Sequence, residues 1–311
     1  MAINPVSTNA QSQLMLAQLM QAENALNQSE SQVATGLVAT DYTGMGNKTD
    51  MLVSAQSAVD RQNGYQSETT IALNQVNLQD SQMTQLSNIA NQLRQDLTGA
   101  VANNDGSTLM TDAEGLYEQM TQILNTQDAN GNYIYGGQKT NTPPVTPGTL
   151  SQLAALPNSA AAFANGSTKA SVRVADGQTV QVGMLASDIA GGLMQTFKDI
   201  VDFNNGANGN FGTNLTPAQS TFLSNEIPTS MSAAAGVNNA AAGNGDIANQ
   251  LQDAQNQQQS LSTLYQGFVS NLKDVDMGTA VTQLNQNQTA LQAALQVTSQ
   301  IGKLSLLNYL Q

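Results

Sequence analysis

Apolar side chains recur at seven-residue spacing near both ends of this chain, and the positions between them carry amides and hydroxyls more often than charges. In residues 12–37, SQLMLAQLMQAENALNQSESQVATGL, Leu19, Leu26 and Val33 stand seven apart, with Met15 and Ala22 at the offset positions. That spacing predicts a helix with one narrow apolar stripe. The glycines of ATDYTGMGNKTD break it. The longest pattern follows. Met51, Ala55, Ala58, Tyr65, Ala72, Val76, Met83, Leu86, Ala90, Leu93 and Leu97 keep 3–4 spacing, interrupted by Gln62, Thr69 and Gln79. About 47 residues at ~1.5 Å each predict a coiled-coil-like rod of roughly 70 Å. Polar seam positions cost stability and fix register.

ANNDGST ends that rod, and Thr111-x-x-Glu114 reads as a capping box opening a third helix with Leu116, Met120 and Ile123. The texture then changes. In ASVRVADGQTVQVG, Val172/Val174 and Val180/Val182 alternate about Asp176-Gly177, which predicts a β-hairpin. A short helix is expected near 186–204, then a loop, then a helix with Thr216 as N-cap and Pro217 in its first position. Residues 232–246, rich in Ala, Gly and Asn, read as a flexible return or a poorly packed helix end. The heptads resume with Ile247, Leu251, Ala254, Leu261, Tyr265, Phe268 and Leu272, with Gln258 as the polar member. After KDVDMGT a final helix carries Val281, Leu284, Leu291, Leu295, Ile301, Leu304, Leu307 and Leu310.

The order is symmetrical about the middle: terminal helix, break and rod lead in, and rod, break and terminal helix lead out. The expected fold is mainly α. The N- and C-terminal segments form a long antiparallel helical-bundle or coiled-coil rod, and a β-containing α+β domain is inserted in the middle. The expected segments are 1–45 (terminal amphipathic helix), 46–143 (rod helices and joint), 144–245 (inserted outer domain), 246–273 (returning rod helix) and 274–311 (C-terminal amphipathic helix).

Composition narrows the chemistry. The 311 residues include 4% aromatics and 10% charged residues, a poor recipe for one large globular core but suited to long helices with amide-rich faces. There is no Cys and no His, so disulfides, zinc–thiolate sites, thiol nucleophiles and His-dependent triads are excluded. Twenty-two acids against nine bases give a net charge of −13, and the bases are scattered from Lys48 to Lys303. That balance repels nucleic acid and anionic membranes. No apolar run approaches the ~18 residues of a membrane span. The first basic residue is Lys48 and MAINPVSTNAQSQ has no apolar stretch, so no cleavable secretory leader is expected.

The segment NGNYIYGGQKTNTPPV, 130–145, invites chemical readings that fail on spacing. Gly131 and Gly136 are separated as in a phosphate loop, but Gly137-Gln138 intervene before Lys139-Thr140. Asp128, Asn130 and Asn132 imitate the start of a calcium loop, yet Tyr133 and Lys139 stand where Gly and Glu are needed. An Asn-Gly tight turn is the expected structure. Asp274 and Asp276, two apart before the last helix, read as helix caps. No cofactor, metal or catalytic site is expected, and the chain reads as no enzyme.

The terminal stripes need a partner. Each is narrow, and two paired helices with thin seams are marginal alone, so burial against other subunits is expected to complete them. Here the residues resemble a known family, the bacterial flagellins and their relatives the hook-associated proteins 3. The start, NPVSTNAQSQLMLAQLMQAENALNQSESQVATGL, looks like the family's N-terminal helix running into a Thr-Gly break at Thr35-Gly36. The end, DVDMGTAVTQLNQNQTALQAALQVTSQIGKLSLLNYLQ, is similar to its Asp-x-Asp lead-in and Leu-rich terminal helix. Tyr133-Ile134-Tyr135-Gly136-Gly137, with Thr140, Thr142, Pro143 and Pro144, looks like the joint that marks hook-associated protein 3, where the helical rod passes into the outer domain. LVATDYTGMGNK departs from the family by lacking the basic residue and proline that follow the break in many relatives.

The resemblance implies an extracellular structural subunit of the flagellum at the hook–filament junction, exported through the flagellar type III apparatus. Its partners would be copies of itself, another hook-associated protein, flagellin and an export chaperone, with no nucleic acid and no membrane insertion. Flagellin itself is the alternative, and a surface glycan-binding module borne by 146–245 is the alternative of another class. Leu19, Leu26, Val33, Leu284, Leu291, Leu295, Leu304 and Leu307 are the expected assembly contacts. Tyr133, Tyr135, Gly136, Gly137, Thr140, Thr142 and Pro143 are the expected joint.

Overall fold

A computed structural model describes residues 5–309, with side chains described at residue 10 and over 12–300. It is mainly helical, with one two-stranded antiparallel sheet among the described residues. Two compact units form, Met1–Arg61 with Ser260–Gln311, and Gln62–Gln259. Helices α3 (Thr49–Asn103) and α7 (Pro217–Lys273) contribute residues to both.

In the first unit, α1 (Pro5–Thr35) packs against α8 (Met277–Tyr309). The pair is antiparallel. The Asn287 side-chain amide donates to the Ala25 carbonyl at 3.1 Å and to the Ser29 hydroxyl at 2.6 Å, while the end of α1 meets the start of α8 through a Leu37–Asp274 bridge. Val38 N–H donates to the Lys273 carbonyl at 2.7 Å, and Val275 N–H to the Gly36 carbonyl at 2.9 Å. The break after α1 is ordered. It folds into a short helix, α2 (Tyr42–Met45), whose Gly44 N–H donates to the Asp41 carboxylate at 2.7 Å, and a 3₁₀ turn, Gly46–Lys48.

In the second unit α3 and α7 run antiparallel. Gln66 donates to Gln259 at 2.9 Å, Gln255 to Thr70 at 3.0 Å, and Asn244 to the Val76 carbonyl at 2.8 Å. The polar interruptions in the heptads are buried: Gln62, Thr69, Gln79 and Gln258 all face inward. Beyond this seam one cluster joins the second half of α3 to α4 (Leu109–Leu124), α5 (Leu150–Ala154), α6 (Ala186–Asn204) and the first turns of α7. Met83, Leu93, Tyr117, Tyr135 and Phe197 are fully buried in it. Tyr117 meets Phe197 edge-on at 5.5 Å, and Phe203 stacks on Phe222 at 4.0 Å. The hairpin of β1 (Ser171–Ala175) and β2 (Gln178–Gln181) pairs Val172 with Val180 and packs Val174 and Val182 on Ala72, Val76 and Leu251.

Three local expectations are corrected. Thr111-x-x-Glu114 is not a capping box: α4 starts at Leu109, and the Glu114 carboxylate reaches instead to the Leu150 N–H at 3.2 Å, tying α4 to the start of α5. The capping box lies at Thr216-x-x-Gln219, where Gln219 N–H donates to the Thr216 hydroxyl at 3.3 Å and Thr216 N–H to the Gln219 side chain at 2.9 Å. Residues 232–246 are neither a flexible return nor a frayed end but the middle of α7. Alanine is the best helix former, and the small residues admit a close crossing, where a Cβ built on Gly192 would stand 3.2 Å from Ala233 Cβ. Of the two aspartates before α8, only Asp276 caps it, accepting from Thr279 N–H at 2.7 Å; Asp274 accepts instead from the Ser270 hydroxyl.

Glu226 on α7 is 8% exposed and its Oε2 has no hydrogen-bond partner. Burial, reinforced by the Asp199 carboxylate, pushes its pKa up to about 7. A carboxyl group raised on folding contributes stability that is full below its unfolded value near 4.5 and is lost as pH rises through about 7. Glu226→Gln is therefore expected to flatten the pH dependence of thermal unfolding between pH 5 and 8 and to raise the Tm most at pH 8. An unchanged pH profile would show that Glu226 is not the group responsible.

Candidate assembly site

The α1–α8 pair buries little of itself. Among the described residues, Ser29 is the buried side chain of α1 and Ala280 that of α8. The stripe residues Leu19, Leu26 and Val33 on α1, and Leu284 and Leu291 on α8, lie on these two packed helices but are only half-buried. Leu295 is 50% exposed. Leu304 and Leu307 lie outside the residues whose side chains are described. A second apolar set was not singled out by the heptads: Leu14 is 64% exposed, Leu16 60%, and Met20 and Val297 are also open to solvent. Their signal was their off-stripe position. An apolar residue outside a stripe that is itself too narrow to be covered marks a second face that also needs a partner.

Polar groups fix the corner at which these helices turn. Gln32 donates to the Val38 carbonyl at 2.9 Å, and Ser29 to the Ala25 carbonyl at 2.8 Å. Asp276, whose carboxyl is held below the usual range by the Thr279 and Gly278 N–H groups, opens α8 with a negative charge at its N-terminus. No helix is long and apolar enough to cross a membrane among the described residues.

The joint motif lies in the second unit and is built as a knot of backbone bonds. Tyr133 N–H donates to the Thr140 carbonyl at 2.8 Å, Gly166 N–H to the Gly136 carbonyl at 2.8 Å, and Ala186 N–H to the Tyr135 carbonyl at 3.2 Å. The last bond ties the motif to the first residue of α6. The Tyr135 ring is fully buried and its hydroxyl donates to the Gln82 side chain of α3 at 2.7 Å, while Gln82 donates onward to Thr126 at 2.8 Å. Gly137 has φ +61°, and a Cβ there would stand 2.6 Å from Leu185 Cδ2 and from the Thr168 carbonyl oxygen. Glycine is required on both counts. Tyr133 and Thr140 are half-buried, whereas Thr142 and Pro143 are exposed.

The Asn-Gly turn expected in this stretch is present. The Asp128 carboxylate accepts from Asn130 and Asn132 N–H at 2.8 and 2.9 Å, and Gly131 N–H closes a tight turn on the Asp128 carbonyl at 3.0 Å. Those bonds hold the Asp128 carboxyl below its ordinary pKa. Lys139 donates to the Ala164 carbonyl at 3.2 Å. No group of three or more acidic side chains suited to a metal ion occurs among the described residues. Of the five phenylalanines of the centre, Phe197 and Phe211 are buried and Phe163, Phe203 and Phe222 are half-buried.

Residues 230–310 match the model of the bacterial flagellin C-terminal helical region. Flagellar hook-associated protein 3 of Escherichia coli (strain K12) is 32% identical over 84 residues, 26% of this chain and 26% of that protein. Its counterpart from Salmonella typhimurium is 26% identical over 117 residues, 36% of this chain and 37% of that one. The match thus spans between a quarter and two fifths of these relatives. Among solved structures, a Vibrio parahaemolyticus protein assigned to the flagellar hook-associated proteins superposes with a TM-score of 0.59 at 16% identity, covering 75% of this chain and 99% of its own. Bacillus cereus FlgL gives 0.53 at 11% identity, covering 70% and 98%. At such identities the two structures speak to the fold, and the fold is the one described above.

Proposed function

We propose that this chain, which resembles the flagellin C-terminal region and flagellar hook-associated protein 3 over part of its length, is a structural subunit of the bacterial flagellum placed at the junction of hook and filament. The observation that carries this reading is the thin α1–α8 pair: two long helices that together bury one side chain each among the described residues and leave Leu14, Leu16, Leu295 and Val297 in solvent. Such helices gain their stability by packing against neighbours in an array, where burial offsets the cost of ordering them. The interfaces of a helical array are heterologous and repeat without closing.

Function on this reading involves no chemical step. The partners are further copies of the chain, another hook-associated protein on one side and flagellin on the other. An export chaperone covers the apolar terminal faces before assembly, and the route outward is the flagellar type III apparatus. The five segments 1–45, 46–143, 144–245, 246–273 and 274–311 divide the labour. The first and last assemble, the two rod segments carry load, and 144–245 covers the rod. Immunogold labelling of intact cells with antibody to residues 146–245 tests the placement.

A further inference from the structure

The α3–α7 seam is weakest where the hairpin crosses it. Between Gln62 and Gln82 the buried side chains of α3 are Gln62, Thr69, Ala72, Val76, Gln79 and Gln82, with no large apolar group among them. The missing apolar volume comes from the hairpin and the residue after it: Val174 of β1 and Val182, next to the end of β2, are buried against Ala72, Val76 and Leu251, and Val172 and Val180 flank them. The hairpin also supplies one of the seam's hydrogen bonds, although Gln258 Oε1 and both polar atoms of the Gln79 side chain stay without partners. The amide nitrogen of Gln258 on α7, 2% exposed, donates to the Thr69 hydroxyl of α3 at 3.0 Å and to the Val174 carbonyl of β1 at 2.6 Å. Thr69 spends its own proton on the Tyr65 carbonyl at 2.7 Å, leaving a lone pair for Gln258. One amide group thus reads two elements at once. Sliding α7 by one turn would break both bonds and leave a buried amide to find new partners, a costly outcome.

We propose that the β1–β2 hairpin is a strap that holds α3 and α7 in register across their polar seam, so that this stretch of the rod opens and closes with the hairpin's docking. The strap is buckled at its tip. Tyr65 of α3 donates its hydroxyl proton to the Asp176 carboxylate at 2.7 Å, Arg173 donates to the same carboxylate at 2.9 Å, and the guanidinium lies 5.6 Å from the centre of the Tyr65 ring. Arg173 and Asp176 lie at the surface and Tyr65→Phe keeps the half-buried ring, so the buckle can be removed without disturbing the core. A cooperative unit opens with a free energy set by the packing and hydrogen bonds that its opening breaks, which makes the strap visible to hydrogen exchange.

The test is amide hydrogen exchange by mass spectrometry on the full chain, comparing the native sequence with Tyr65→Phe combined with Asp176→Ala. The strap predicts roughly tenfold faster exchange in peptides from 65–76 and 247–259 as well as in 171–181, with α4 and α6 unchanged within about twofold. Gln258→Leu, made separately, is expected to loosen the same two helical stretches, because it removes the seam's bond to Val174 while keeping the hairpin tip. Faster exchange confined to 171–181 would show a hairpin that merely rests on a self-sufficient seam. Equal acceleration in α4 and α6 would show general destabilisation. Either result overturns the proposal.

Discussion

Tyr135→Ala is expected to lower the stability of the Gln62–Gln259 unit by about 3–5 kcal/mol, the range for deleting a fully buried aromatic ring. The ring fills the centre of the cluster that joins α3, α4 and α6, and its hydroxyl satisfies Gln82, which in turn bonds Thr126. Tyr135→Phe keeps the packing and is expected to cost about 1–2 kcal/mol, because Gln82 Oε1 then loses its donor inside the core. Pro143→Ala, at an exposed position of the same motif, is expected to stay within about 0.5 kcal/mol. Urea unfolding followed by circular dichroism orders the three. If alanine at 135 costs no more than alanine at 143, the joint is not the structural knot described here.

Removing residues 1–40 is expected to abolish incorporation into flagella while leaving the Gln62–Gln259 unit folded with its melting transition intact. The deletion takes away α1, the packing partner of α8, and with it Leu14, Leu16, Leu19, Leu26 and Val33. The buried clusters of the second unit draw on none of these residues. Calorimetry of the truncated chain reports the second unit, and a motility assay of cells carrying it reports assembly. Normal motility would mean that the terminal helices are a solvated appendage and that the rod works as a scaffold outside any array.

Much of the architecture was legible from spacing alone. A terminal helix over 12–37, the hairpin about Asp176-Gly177, the helix 186–204 and the start of α7 at Thr216-Pro217 all follow from local signals, and the structure has helices and a hairpin there, with α1 at Pro5–Thr35. What was illegible depends on tertiary partners. Glu114 looked like a cap because its spacing to Thr111 fits, yet its carboxylate serves a backbone N–H 36 residues away. The Ala- and Gly-rich run 232–246 looked loose because small residues carry no amphipathic pattern, but a crossing helix with Gly192 at the contact favours small residues there. The polar seam residues were visible as interruptions, while the carbonyl that the Gln258 amide nitrogen bonds lies 84 residues away in β1. For the assembly site, the heptads pointed to the inner stripe, and only solvent exposure revealed the outer set of Leu14, Leu16, Met20 and Val297.

The central claim is a place in an assembly, and it is tested most directly by immunogold electron microscopy on intact cells, with antibody raised to residues 146–245. The account predicts label confined to a short zone where hook meets filament. Label along the whole filament would make this chain a filament subunit, and the absence of label from flagella would contradict the account altogether.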